Sequence, residues 1–192
     1  IIIGTQMAAK GHHFPNLTLV GVVDADLGLA GGDLRAAERT FQMLMQVAGR
    51  AGRESRPGVV MLQTLNPENP VIAALLDGDR DKFLANEVAA RQAAGMPPFS
   101  RLAAIILSAP DKEKLHAAEE VLAQAAPRFA GVDVFGPTPA PLSFLRGRHR
   151  ARMLVRTEKS VDIQQVIQSW IKDVKVSTSV RLYVDIDPYS FL

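Results

Sequence analysis

RLAAIILS, residues 101–108, decides how the chain divides. The run is apolar, eight residues long and free of helical periodicity, which suits a strand. It stands directly behind Gly95 and Pro97-Pro98, a combination that stops a helix, so a domain boundary is expected there. On its C-terminal side the pattern predicts a helix over 111–126 and a strand over 132–135 (VDVF). A proline-rich connection, GPTPAPLSFLRGR, then leads to a strand over 149–157, a helix over 160–173 and a last strand over 180–186.

The order β-α-β-β-α-β is that of the split βαβ, ferredoxin-like sandwich, with one sheet face under both helices and the other left free. On the N-terminal side, IIIGT (1–5), LTLVGVVD (17–24) and GVVMLQT (58–64) read as strands covered on both faces, as in a parallel sheet. A helix is expected to start at Asp33 as N-cap and to run through LRAAERTFQMLMQVAGR, ending at Gly52 or Pro57-Gly58. Two further helices, about 69–77 and 79–94, complete an α/β half. The division expected is thus 1–68, a helical connector 69–95, and 96–192. A β-branched run at residue 1 further suggests a chain that begins in mid-domain.

Of the 192 residues 47% are apolar, enough for real cores. Net charge is +2, unevenly spread: 9 Lys/Arg against 10 Asp/Glu in residues 1–95, and 13 against 10 in residues 96–192. The surplus in the second half hints at an anionic partner there. With no cysteine, disulfides and thiolate metal sites are excluded from this chain. No apolar run is long enough for a membrane span, and a cytoplasmic location is expected.

Three stretches carry candidate chemistry. In QVAGRAGR (46–53), Gln46, Gly49, Arg50 and Arg53 would share one face of a helix. Glycines at 49 and 52 would let a ligand approach the backbone, and guanidinium forks suit phosphate. The same arginines could simply offset a helix C-terminal dipole. In GTQMAAKGHHFPN (4–16), a Gly-Thr and a Lys-Gly follow a strand, where open α/β sheets bind ligands. No phosphate-binding GxxxxGK[ST] occurs anywhere in the chain. His12 and His13 lack partners at metal-ligand spacing, and no metal site is expected. Asp24 and Asp26 could be paired carboxylates, though turn roles fit them better.

The third stretch is LRGRHRARMLVR (145–156). In an extended strand Arg146, Arg148, Arg150 and Arg152 would point to one face, followed by Arg156. Such a stripe is either a phosphate track or a solvated, charge-protected edge. Ring residues close by are few, Phe144 and His149, so contacts to the nucleic-acid backbone are expected over reading of bases. Trp170 is assigned to the core.

GTQMAAKGHHFPN, VDADLG and AERTFQMLMQVAGRAGR together resemble motifs V and VI of superfamily 2 helicases. HHFPN joined to QVAGRAGR, with PPFSRLA and LRGRHR further on, resembles the bacterial replication-restart helicases specifically. The resemblance implies the later part of a second RecA-like lobe, then a C-terminal domain of ferredoxin-like or S10-like α+β type. It implies a C-terminal portion of an ATP-dependent 3′–5′ DNA helicase that recognises stalled or branched forks and promotes primosome assembly and replisome reloading. A non-catalytic adaptor for DNA structure, or another branch-processing helicase, is the competing reading. Arg53 would match the arginine finger, with Arg50 beside the γ-phosphate. Gln46 would couple nucleotide to DNA, and Gly4, Thr5, Gln6, Lys10 and Gly11 would match the DNA-contacting motif V. ATP with Mg²⁺ would need an upstream lobe, zinc would belong to a segment outside this sequence, and the chain alone is expected to hydrolyse no ATP. Partners implied are branched and single-stranded DNA, other primosome proteins, and the acidic tail of single-stranded DNA-binding protein. For that tail the candidates are Lys159, Gln164 and Gln165.

Overall fold

The computed structural model describes residues 1–5, 17–29, 33–52 and 57–189. They form two compact units, 1–89 and 90–192.

The second unit is built on β3 (Ser100–Ala109), which pairs antiparallel with two partners. These are β5 (Arg148–Glu158) and β6 (Arg181–Ile186), and β4 (Val132–Leu145) closes the sheet beyond β5. The sheet order is β4-β5-β3-β6, with every neighbour antiparallel. Two helices interrupt the strands, α4 (Lys112–Gln124) and α5 (Ile163–Lys172). Asp111 and Asp162 cap them, each side chain accepting two backbone N–H groups of the first turn. Alternation along the strands puts Ala103, Ile105, Leu107 and Ala109 on one face with Ala151, Met153 and Val155. Leu115, Ala118 and Leu122 of α4 and Ile163, Ile167 and Trp170 of α5 close that core. Trp170 is buried, its Nε1–H donating to the Leu122 carbonyl at 3.2 Å.

One expected boundary is corrected here. The proline-rich connection after residue 135 is not a loop, because β4 continues through it to Leu145. Its ladder with β5 is interrupted between Phe135 and Thr138 and again between Pro139 and Phe144, where prolines can donate no hydrogen bond. β4 is also an edge strand, where such gaps are tolerated.

The first unit holds a two-stranded parallel sheet, β1 (Leu19–Val22) with β2 (Val59–Leu62), in the register Leu19↔Val59 to Val22↔Leu62. With it are α1 (Ala36–Ala48), α2 (Pro70–Asp77) and α3 (Arg80–Ala93), the last crossing into the second unit. Phe41 of α1 stacks on Phe83 of α3 with ring centroids 4.1 Å apart, beside Val71 and Ala74. Leu44, Ile72 and Ala25 form a second small cluster.

Three expectations fail in this unit. Ile1–Ile3, read as a buried strand, join no strand and are exposed. β1 and β2, read as covered on both faces, alternate exposed and half-buried along their length. An apolar run demands burial, and the described residues supply neighbours for one face only. Finally, α1 starts at Ala36, after a turn in which the Asp33 carboxylate accepts the Arg35 N–H at 3.1 Å and ion-pairs with Arg39 at 2.7 Å.

Candidate functional site

Two places hold the candidate residues, and each is described within its own unit. At the end of α1, Gln46 is exposed in the last turn and Gly49 caps the helix, its N–H bonding to the Met45 carbonyl at 2.9 Å. The single helical face expected for Gln46, Gly49, Arg50 and Arg53 is therefore corrected: the helix stops at Ala48. Arg50 is half-buried in the turn that follows. Gly52, at φ 71°, then donates to the Leu17 carbonyl at 3.1 Å, seating the turn beside the start of β1.

The reason for the second glycine also changes. A Cβ on Gly52 would lie 2.2 Å from the Gly58 nitrogen, and one on Gly58 would lie 2.1 Å from the Gly52 nitrogen. The space that glycine frees at position 52 is filled by another backbone and is not open to a ligand. Among the described residues, the turn brings one arginine, Arg50, to the start of β1. Gly4 and Thr5 are exposed and outside helices and strands. Gln6, Lys10, Gly11, His12, His13 and Arg53 lie outside the described residues. Asp24 and Asp26 hold turns: Asp24 accepts the N–H groups of Asp26 and Leu27, each at 3.0 Å. Asp26 accepts the Thr64 hydroxyl at 2.8 Å and the Leu65 N–H at 2.6 Å.

The second place is the sheet face that α4 and α5 leave free. Even-numbered residues of β5 and β3 point there, opposite the core row. Register aligns Arg150 with Ser108 and Arg181, and Arg152 with Ile106 and Tyr183. Leu102 and Ala104, further along β3, are buried, so the open part of the face is the Ile106–Ser108 end. Three arginines thus surround an apolar strip of Ile106 and Tyr183, the latter 60% exposed.

The expected stripe is otherwise divided by role. Arg146 is not in a strand; it occupies the two-residue hairpin turn between β4 and β5 at φ 50°, with Gly147 at φ 74°. Arg148 is turned inward, its Nε donating to Ser108 Oγ at 3.2 Å. Its Nη2 donates to the carbonyls of Ser108 at 2.7 Å and Ser179 at 2.8 Å. Arg156 grips Asp133 through Nε at 3.0 Å and Nη2 at 2.7 Å and reaches the Ala94 carbonyl at 2.9 Å. It also lies 5.5 Å above the Phe135 ring. At that same end Arg101 pairs with Asp187 at 2.6 Å, and the hydrogen bond and charge of Asp187 raise the Arg101 pKa.

Phe144 and His149, the rings nearest the arginines in sequence, contact each other at 4.9 Å. His149 pairs with Ala109, a core-facing position, so this ring pair sits on the opposite face from Arg150 and Arg152. The residues that sequence reasoning missed are Arg181 and Tyr183. Their signal was the alternation in RLYVDI, legible once the sheet order is known.

Of the tail-binding candidates, Gln165 lines a cleft of about 480 Å³ with Pro127, Phe129, Val166 and Trp170. Asp162 is the charged residue of that lining, while Lys159 and Gln164 are exposed outside it. A second cleft of about 720 Å³, beside β4, includes Arg128, Phe129 and Phe135. Among the described residues no three His, Asp or Glu side chains are grouped to hold a metal, and no helix is long and apolar enough to cross a membrane.

A small parallel sheet with its helices and, later in the chain, a separate helix-backed antiparallel sheet define a mixed α/β chain. The family described as the primosomal protein N C-terminal domain matches residues 92–189, and the chain belongs to it. Along its whole length it is 47% identical to the replication restart protein PriA of Rickettsia felis, 39% to that of Treponema pallidum and 34% to that of Bacillus subtilis. It spans 29%, 30% and 24% of those proteins, under a third of each.

Proposed function

We propose that this chain is a C-terminal portion of an ATP-dependent 3′–5′ DNA helicase that acts in replication restart, recognising branched DNA and supporting primosome assembly. In this reading residues 1–68 belong to a second RecA-like lobe, and Arg50 and Arg53 contribute positive charge to a nucleotide held by another lobe. Zinc and the phosphate-cradling loop belong to segments outside this sequence. Residues 96–192 form a split βαβ domain that holds DNA, and the cleft beside Gln165 receives an apolar protein tail. Whole-length identity to proteins named for replication restart supports the process.

The observation that carries DNA binding is the grouping of Arg150, Arg152 and Arg181 on the sheet face opposite α4 and α5. Residues 134–157 contain five arginines and no acidic residue, so a phosphate chain meets no repulsion along the β4–β5 hairpin. Arg150→Ala with Arg152→Ala tests it by fluorescence anisotropy on a forked DNA between about 50 and 200 mM salt. Each lost phosphate contact lowers the slope of log K against log salt by about 0.9, so the pair should lower it by nearly 2 and weaken binding roughly tenfold. Affinity and slope left at wild-type values would remove the face from the DNA site.

A further inference from the structure

We propose that the open end of this sheet is a stacking platform for unpaired nucleotides, with Tyr183 as the ring on which a base lies. The proposal rests on the DNA-binding reading above and adds which form of DNA the face selects. Tyr183 is 60% exposed on β6, and its register partner Ile106 carries the apolar strip inward to Arg152. Arg152 and Tyr183 stand on the two strands flanking β3, about 10 Å apart along the sheet. Arg150 and Arg181 flank Ser108 in the adjoining row.

A flat ring bordered by guanidinium groups on two sides has the composition of a single-strand site. The aromatic takes a base face, and the arginines take the phosphates on either side. A duplex hides its base faces in the stack and offers phosphates alone, so it gains nothing from the tyrosine. Other exposed rings are unsuited. Phe135 shares the face but lies under the Arg156 guanidinium at the end where Asp133, Asp185 and Asp187 gather. Phe144 is paired with His149 on the far side. Position therefore selects Tyr183: it is the exposed ring in the Arg152–Ile106 row, with Arg181 two residues before it on β6 and Asp185 two residues after.

The test measures anisotropy of labelled dT20 and of a blunt 20-base-pair duplex with the full chain, in wild type, Tyr183→Ala and Tyr183→Phe. Tyr183→Ala should weaken dT20 about tenfold, within the range of one lost base–aromatic stack, with duplex affinity within about twofold. Tyr183→Phe keeps the ring and should bind dT20 within about twofold of wild type. The salt slope should be unchanged in both, since no phosphate contact is lost. An exposed side chain leaves the fold intact, and the circular dichroism of both variants should match wild type. Equal weakening of dT20 and duplex, or no weakening of either, overturns the platform while leaving the arginine face standing. Absence of salt-dependent binding to either DNA overturns the arginine face as well. Polyglutamate binding that falls by the same factor in Tyr183→Ala would reassign the strip to an acidic protein segment and overturn the proposal.

Discussion

In β3 the side chains of Ile105 and Leu107 are wholly buried, whereas in β1 and β2 Leu19, Val59 and Met61 are each more than half exposed. All three strands read in the sequence as the same kind of uninterrupted apolar run. The difference lies in what surrounds them. β3 has a paired strand on each edge and two helices against one face, all supplied within residues 100–186. β1 and β2 have each other and, on one side, the α1–α2 cluster. A hydrophobic run states how much burial a strand needs; the number of its neighbours decides how much it receives. The second unit meets that need from its own residues, and among the described residues the first does not.

Substitutions should separate the two units on that basis. Leu107→Ala removes fully buried atoms from a closed core and should cost about 2–5 kcal/mol. Trp170 is the single tryptophan and sits in this core, so its fluorescence in a urea titration reports the second unit alone. Met61→Ala, on the open sheet of the first unit, should stay within about 0.5 kcal/mol, read by amide hydrogen exchange of the β1 and β2 segments. Comparable losses for the two would break the distinction between a self-sufficient core and an incomplete one.

A sharper contrast runs along β5. Arg148 and Arg150 are two residues apart and share a face, yet the first is tied to Ser108 and Ser179 while the second borders the open strip. Arg148→Ala leaves two half-buried carbonyls and a hydroxyl without their charged donor and should cost about 1.5–3 kcal/mol. Arg150→Ala should change stability by no more than about 0.5 kcal/mol and act on DNA binding instead. If both substitutions destabilised equally, the division of the stripe into a structural and a DNA-facing part would be wrong.

How much of this was legible in the sequence follows from the range of the interactions. The six elements after residue 95 and their order were legible because apolar runs, Asp caps and the Pro97-Pro98 stop are local signals. The extension of β4 was not, since three prolines within ten residues argue against a strand until its edge position is known. The arginines were conspicuous, but the bonds that tie Arg148 and Arg156 into the fold run to partners 23 to 62 residues away, which no local pattern shows. Tyr183 stayed hidden for the same reason: β6 begins 23 residues beyond the end of β5 and reaches the arginines only through β3. In the first unit the motif was legible and its geometry was not, because the close approach of the Gly52 and Gly58 backbones leaves no mark in the local pattern.

That meeting supports a separate test of the QVAGRAGR motif. Gly52→Ala places a Cβ at φ 71° and against the Gly58 backbone, and should cost about 1–3 kcal/mol. The cost stays at that level because the two-stranded sheet is open on one side and gives way where a closed core would not. Gly49→Ala is the matched control: its φ of −66° is helical, and its Cβ would sit an ordinary 3.4 Å from the Met45 carbonyl oxygen. Alanine there should be neutral or stabilise by up to about 1 kcal/mol, as glycine is the poorer helix former. Amide hydrogen exchange of the β1 and β2 segments measures both, with the Trp170 transition unmoved in either case. Faster exchange in Gly52→Ala alone marks Gly52 as the residue that lets the turn close on β1. Unchanged exchange would return it to the other role a glycine can have beside an arginine, leaving room for a phosphate.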